Sequence, residues 1–202
     1  MIRRPRLSIV IPAAGASQRL GQPKQLVNFK GKSLIRQAID NAESLSPHEI
    51  LVVTGADTEA VQAEVQKTTA KPVYNPDWSS GMGTSIACGA RAVDDASDGL
   101  MILLCDQWRI LPEDLHLLFE TWLCNTQRIV CAATGSRYGP PVIFPSTLFQ
   151  ALSTLDGDHG AHSILRSHPD LVIPADLQNA SSDLDTPSQL KELKEALTAH
   201  DP

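Results

Sequence analysis

Apolar residues along this chain fall into two rhythms that take turns. Short unbroken runs at Leu7–Ile11, Ile50–Thr54, Gly99–Cys105 and Arg128–Ala133 have the length and content of buried strands. Shorter extended pieces are predicted at Pro72–Tyr74, Val142–Phe144 and Leu171–Ile173. Between them the apolar positions recur every three or four residues. Leu34, Ile35, Ala38, Ile39, Ala42 and Leu45 follow Ser33, a capping residue type, and Ser46-Pro47 closes that helix. Thr58 to Lys67 is a second helix with Val61 and Val65 facing inward, and Thr84 to Val93 a third, after the polar loop Asn75–Gly83. A fourth helix has Pro112 in its first turn with Glu113 and Asp114, and turns Leu115, Leu118, Phe119 and Trp122 inward. A fifth runs from Gly160 to Ser167. Thr186, Pro187 and Gln189 form a capping box for the last, with Leu190, Leu193 and Leu197 as its buried stripe.

Strands alternating with helices predict an α/β fold: a mostly parallel sheet covered on both faces, in one domain spanning residues 1–202. Ligands in such sheets bind outside the carboxyl ends of the strands. Composition changes little, since 42% hydrophobic and 20% charged residues are ordinary for a soluble protein. A net charge of −6 argues against nucleic acid or an anionic membrane as partner. Cys88, Cys105, Cys124 and Cys131 form no CxxC pair, which predicts buried free thiols in a reducing compartment. The apolar run behind the basic start is too short for a signal peptide, and no stretch is long enough to span a membrane, so a cytoplasmic protein is expected.

The candidate chemistry gathers behind the first strand. Ala13, Ala14, Gly15, Ala16 and Ser17 are small enough to let main-chain N–H groups approach an anion, and Arg19 and Lys24 add a planar fork and a point charge. The stretch reads either as a triphosphate cradle or as a surface loop with two solvated cations. Asp106 follows the most apolar run and is either a turn or cap residue before Pro112 or a ligand for Mg²⁺. Asp183 and Asp185, two apart in an extended segment, point the same way and either favour the helix dipole or join Asp106 around a metal. Nucleotidyl transfer suits these parts. A phosphate acceptor is already ionised and needs no general base, so positioning and electrostatics carry the catalysis.

Pro12-Ala13-Ala14-Gly15-Ala16-Ser17-Gln18-Arg19-Leu20-Gly21 with Lys24 resembles the LAAGxSxRMGxxK signature of the MobA-like NTP transferases. Five further segments resemble that family in order: Trp78–Ile86, Asp106-Gln107, Gly139–Phe144, Gly157–Ala161 and Asp183–Pro187. The resemblance implies a Rossmann-like three-layer α/β/α nucleotidyltransferase fold and an Mg²⁺-dependent enzyme. Arg19, Lys24 and Asp106 would be its catalytic residues, Asp106 and Asp185 its metal ligands, and Ala13, Gly81 and Ser85 its base pocket. The branch it resembles is the molybdopterin cytidylyltransferases, and Ala13-Ala14 in place of Gly-Gly leaves less room for a purine and favours CTP. The acceptor implied is a phosphorylated pterin, with a molybdenum enzyme or its chaperone as partner. Departures occur as well. Pro12 and Leu20 replace Leu and Met, Trp108 replaces the proline of D-Q-P, His162 replaces the arginine of G-D-x-G-A-R, and the Tyr138 loop is short. Trp108 and His162 are expected on the acceptor side, with His159 beside them, and they motivate a sugar- or alcohol-phosphate acceptor as alternative. A non-catalytic carrier of nucleotide or pterin is the other alternative.

Overall fold

The structure, a computed structural model, describes residues 3–158 and 160–198, the last two by backbone alone. His159 and the side chain of Leu197, both given roles above, lie outside what it describes. In chain order the elements are β1 (Leu7–Pro12), β2 (Asn28–Phe29), β3 (Lys32–Ser33), α1 (Leu34–Glu43), β4 (Glu49–Thr54), α2 (Thr58–Val65), β5 (Lys71–Tyr74), α3 (Met82–Ala92), β6 (Gly99–Ile102), α4 (Pro112–Leu123), β7 (Ile129–Thr134), β8 (Arg137–Pro145), α5 (Phe149–Ser153), α6 (His162–Ser167), β9 (Val172–Asp176) and α7 (Pro187–Thr198).

Seven strands form one sheet in the order β5-β4-β1-β6-β8-β7-β9. All pairings are parallel except those of β8, which runs against both β6 and β7. Strand β1 is buried along its whole length, and alternation sends its side chains to opposite layers. Leu7, Ile9 and Ile11 pack with Ile35 and Ile39 of α1, Val61 and Val65 of α2, and Leu118 and Trp122 of α4. Val10 packs on the other face with Ile86 and Ala90 of α3, Leu152 of α5, and Ile164 and Leu165 of α6. The three layers are those the apolar rhythms predict.

From β1 the chain moves outward through β4 to β5, then crosses back to β6 on the other side of β1. Loops leaving the carboxyl ends of β1 and β6 therefore diverge and open a crevice, the switch point of a doubly wound sheet. A third cluster, Leu20, Val27, Phe29, Leu34, Leu184 and Leu193, fastens the β1 loop and the β2–β3 hairpin to α7 beside this crevice.

Several predicted boundaries move. The apolar run to Cys105 is a strand only to Ile102, because the chain leaves the sheet after the Leu103 amide bonds the Val10 carbonyl at 3.0 Å. Helix α3 begins two residues early, behind Gly81, and α6 begins at His162 rather than Gly160. Strand β8 extends well beyond Val142–Phe144, and α5 and the β2–β3 hairpin are additions. Ser33 and the Thr186–Gln189 box cap their helices as expected. All four cysteines are free, but only Cys105 and Cys131 are buried; Cys124, at the solvent end of α4, is exposed.

Candidate functional site

The crevice between β1 and β6 is a cleft of about 320 Å³. The loop after β1 forms one wall, and its shape depends on Gln25. That side chain is 1% exposed, and its amide donates to the carbonyls of Ala13 at 2.9 Å and Gly15 at 2.8 Å. Ser17 sits at φ 52, where its hydroxyl accepts the Lys24 amide at 3.1 Å and its carbonyl accepts the amides of Leu20 and Gly21. The fold-back brings Lys24 over the cleft floor and leaves Arg19 at the rim.

Four charged groups from three distant segments meet there. The Lys24 ammonium donates to Asp106 and, at 2.8 Å, to Asp185. Arg19 donates to the other Asp185 oxygen at 3.0 Å. The Lys24 side chain is 19% exposed and that of Arg19 74%, so Lys24 is the inner cation and Arg19 the outer, screened one. Burial by itself would lower the Lys24 pKa; the adjoining carboxylates of Asp106 and Asp185 outweigh it, and the ammonium is held well above its ordinary range. Burial pushes the Asp185 carboxyl upward, while Lys24 and Arg19 more than reverse this and hold it low. The capping box places Asp185, since Gln189 Oε1 accepts both the Asp185 and Thr186 amides at 2.9 Å.

Asp183 behaves differently from Asp185. Its backbone bridges to Gln107, one carboxyl oxygen is buried without a partner, and burial together with the charges of Asp106 and Asp185 raises its pKa to about 6. Because the folded pKa is raised, the stabilisation from this group is complete below the unfolded value near 3.8 and is lost as pH climbs through about 6. In metal-free protein, Asp183→Asn is therefore expected to gain on the order of 2 kcal/mol over wild type at pH 7 and nothing at pH 3.5, checked by urea midpoints across that range.

Two carboxylates converging on one ammonium form a seat that fits a hard cation. Among the described residues no group of three or more His, Cys, Asp or Glu side chains is arranged to hold a metal alone. A divalent ion here would have Asp106 and Asp185 as its protein ligands and would draw the rest from phosphate oxygens and water, as Mg²⁺ commonly does.

The opposite wall is the segment entering α3. Gly81 adopts φ 120, and a Cβ on it would fall 2.4 Å from the Gly157 carbonyl oxygen. Gly83 donates its amide to that same oxygen at 2.8 Å. Two segments read separately in the sequence, Trp78–Ile86 and Gly157–Ala161, are thus one wall. Ser85 lines the cleft, 3% exposed, and its hydroxyl accepts from the buried Asn75 amide at 3.1 Å.

Of the residues expected from the sequence, Ala14, Gly15, Ser17, Arg19, Lys24, Gly81, Ser85, Asp106 and Asp185 line this cleft. Ala13 and Ala16 do not. The Ala13 methyl is packed in the α1-side core, its amide donates to the Val53 carbonyl and its carbonyl accepts from Gln25, so its groups are turned to the fold rather than to the cleft. Trp108, expected by the acceptor, instead stacks edge-on to Phe29 at 5.1 Å in the third cluster. His162 opens α6 and lines a separate groove. Sequence reasoning gave no role to Gln25 or Gln107. The Gln107 amide joins the carbonyls of Pro140 at 2.9 Å and Ala180 at 2.7 Å, tying three segments beneath Asp106. Both are polar residues next to a charged candidate, and Gln107 also falls in the Asp106-Gln107 segment that resembles the family.

A switch-point cleft holding a small-residue loop, two cations and two carboxylates on a mostly parallel sheet is the arrangement of an α/β nucleotidyltransferase. The chain belongs to the MobA-like NTP transferase domain family, whose model matches residues 9–172. It is 34% identical over 195 residues to nicotine blue oxidoreductase of Paenarthrobacter nicotinovorans, covering 91% of this chain and 94% of that protein. It is 28% identical over 209 residues to the purine catabolism protein PucB of Bacillus subtilis, covering 98% and 100%. In fold it matches the Rv0371c protein of Mycobacterium tuberculosis H37Rv, with a TM-score of 0.79 at 23% identity over 96% of this chain and 100% of that one. A manganese complex of that protein gives a TM-score of 0.74 at 22% identity over 95% and 99%.

Proposed function

We propose that this protein is a cytidylyltransferase that moves CMP from CTP to a phosphorylated acceptor, a molybdopterin-type pterin, and releases pyrophosphate with Mg²⁺ as cofactor. The observation that carries this reading is the Lys24–Asp106–Asp185 constellation under the small-residue loop. Lys24 stays protonated throughout and is placed to stabilise charge on the α-phosphoryl group in transfer. Arg19, at the rim, neutralises the leaving pyrophosphate with its planar fork. When bound, Mg²⁺ supplies charge neutralisation on the phosphate oxygens. Asp106 and Asp185 would hold that ion, with Gln107 and the Gln189 cap keeping them in place. No side chain has to take a proton, because the attacking phosphate is already ionised. Ala14 and Ser85 border the volume left for a base, and a methyl there discriminates modestly, by about 1–3 kcal/mol. We place the protein in the cytoplasm as one domain over residues 1–202, serving a molybdenum enzyme or its chaperone. Among the described residues no helix is long and apolar enough to cross a membrane.

Pyrophosphate release measured over four NTPs, each with molybdopterin or a sugar phosphate as acceptor, tests this. CTP with the pterin is expected to exceed every other pairing about tenfold or more. GTP preference, or the sugar phosphate as the better acceptor, refutes the stated specificity. The name of the Paenarthrobacter relative denotes an oxidoreductase, so the same samples are assayed with nicotine blue as electron acceptor for oxidation of a reduced nicotinamide dinucleotide. Turnover there with no pyrophosphate released overturns the transferase reading.

A further inference from the structure

Ser85 brings the hydroxyl of the α3 wall to the cleft, beside Trp78, Gly81 and Met82. A serine hydroxyl donates one hydrogen bond and accepts two, so by itself it favours no particular base edge. Here Asn75 sets its direction. Asn75 follows β5 on the sheet edge that bears the cleft, its main-chain amide bonds the Thr54 carbonyl at the end of β4 at 2.9 Å, and it is 1% exposed. Its side-chain oxygen accepts the Asp77 amide at 3.0 Å. A main-chain N–H can only donate, so this bond fixes which way the Asn75 amide faces: oxygen to Asp77, NH2 to the hydroxyls of Thr84 at 2.9 Å and Ser85 at 3.1 Å. Thr84 passes its own proton to a carbonyl, with those of Asp77 and Gly81 each at 2.9 Å. Ser85 has no such outlet. Among the described residues nothing accepts its proton, although the residue is almost fully buried. A hydroxyl committed as acceptor on one side and bordering the cleft on the other has a proton to give to a ligand.

We propose that Asn75 is a positioning residue for nucleotide selection: it locks Ser85 as a donor, and that donor meets the N3 atom of a cytosine ring. The choice of CTP as ligand rests on the reading above; the test needs no turnover. N3 is where the two pyrimidines differ in sign. Cytosine presents a lone pair there and uracil an N–H, whereas O2 accepts in both. A donor aimed at N3 pairs with cytosine and opposes uracil, because two protons then face each other where water scarcely reaches. Ala14 acts on size and separates pyrimidine from purine. The Asn75–Ser85 pair acts on polarity and separates one pyrimidine from the other.

Dissociation constants for CTP, UTP and 3-deaza-CTP, in which C–H replaces the ring nitrogen, are measured by calorimetry with Mg²⁺ and no acceptor. The wild type is expected to bind CTP about tenfold or more tightly than either of the others. Asn75→Asp keeps the shape of the side chain and its bond to the Asp77 amide, but puts an acceptor where the NH2 stood. Ser85 then donates to residue 75 and turns a lone pair to the base. The added negative charge weakens both triphosphates alike, so the ratio is what reports: CTP over UTP should fall about tenfold or more and reverse in favour of UTP. A merely structural Asn75 would weaken both nucleotides and leave the ratio alone. Should Asn75→Asp lose its fold, judged by its melting midpoint, Ser85→Ala decides: CTP is expected to weaken about tenfold, to the level of 3-deaza-CTP, with no further loss for 3-deaza-CTP itself. An unmoved ratio in folded Asn75→Asp, 3-deaza-CTP bound as tightly as CTP by the wild type, or GTP bound more tightly than CTP overturns the proposal. A protein that selects CTP through Asn75 yet releases no pyrophosphate with any acceptor sinks the transferase reading and leaves this selection standing; turnover that uses CTP and UTP equally does the reverse.

Discussion

Asp106→Ala is expected to abolish nucleotidyl transfer, lowering kcat/KM by about a thousandfold or more, equivalent to roughly 4 kcal/mol of transition-state stabilisation. The side chain does two things at once. It is one of the two carboxylates that meet the Lys24 ammonium among the described residues, and in the proposed reaction it would hold the metal and position that ammonium at the α-phosphoryl group. The fold should survive the change. The Leu184 amide bonds the main-chain carbonyl of Asp106 at 3.0 Å, not its side chain, and Lys24 keeps Asp185 at 2.8 Å, so no buried charge is orphaned. A melting midpoint within a few degrees of wild type, set beside lost pyrophosphate release, separates chemistry from folding. Asp106→Asn is the sharper version, since it keeps volume and hydrogen bonding but removes the charge. If that variant turns over within tenfold of wild type, metal holding by this carboxylate is refuted.

The reach of sequence reasoning can be judged from the same residues. Asp106 and the β1 loop were legible because each follows an unbroken apolar run, and a parallel sheet puts the carboxyl ends of such runs on one edge. Asp185 was legible through its helix cap, a local pattern that also fixes the position of its backbone. What escaped depends on contacts between segments distant in the chain. Nothing near Gln25 says that its amide is buried under two carbonyls of the preceding loop, and nothing near Ala13 says that its methyl faces the core. Trp108 misled for a related reason. As a departure from a motif it suggested altered chemistry, whereas Phe29 in an unforeseen hairpin is its neighbour and Arg109 stacks over its ring at 4.6 Å. Periodicity reports which face of an element is apolar and is silent about which distant surface covers it.

Lys24→Met is expected to separate two roles that the wild type combines. Turnover should fall about a hundredfold to ten-thousandfold, because a fixed positive charge aimed at a developing anion is lost. Affinity for a divalent ion in the absence of nucleotide should move the other way. In the wild type the ammonium sits between Asp106 and Asp185, so an entering ion must displace it; in the variant the two carboxylates face each other with no cation between them. Mn²⁺ alone, titrated by calorimetry, is expected to bind the variant about tenfold or more tightly than wild type. Stability follows a definite sign. Lys24 depresses the Asp185 pKa, so its contribution is complete above the unfolded carboxylate value of 3.8 and is lost only as pH falls through the lower folded value. The variant should therefore be less stable than wild type by about 1–3 kcal/mol at pH 7, the gap should start to narrow only as pH falls below 3.8, and much of it should be recovered at pH 7 when Mn²⁺ is added. Weaker Mn²⁺ binding in Lys24→Met than in wild type refutes the competition and makes Lys24 a partner of the ion rather than its placeholder.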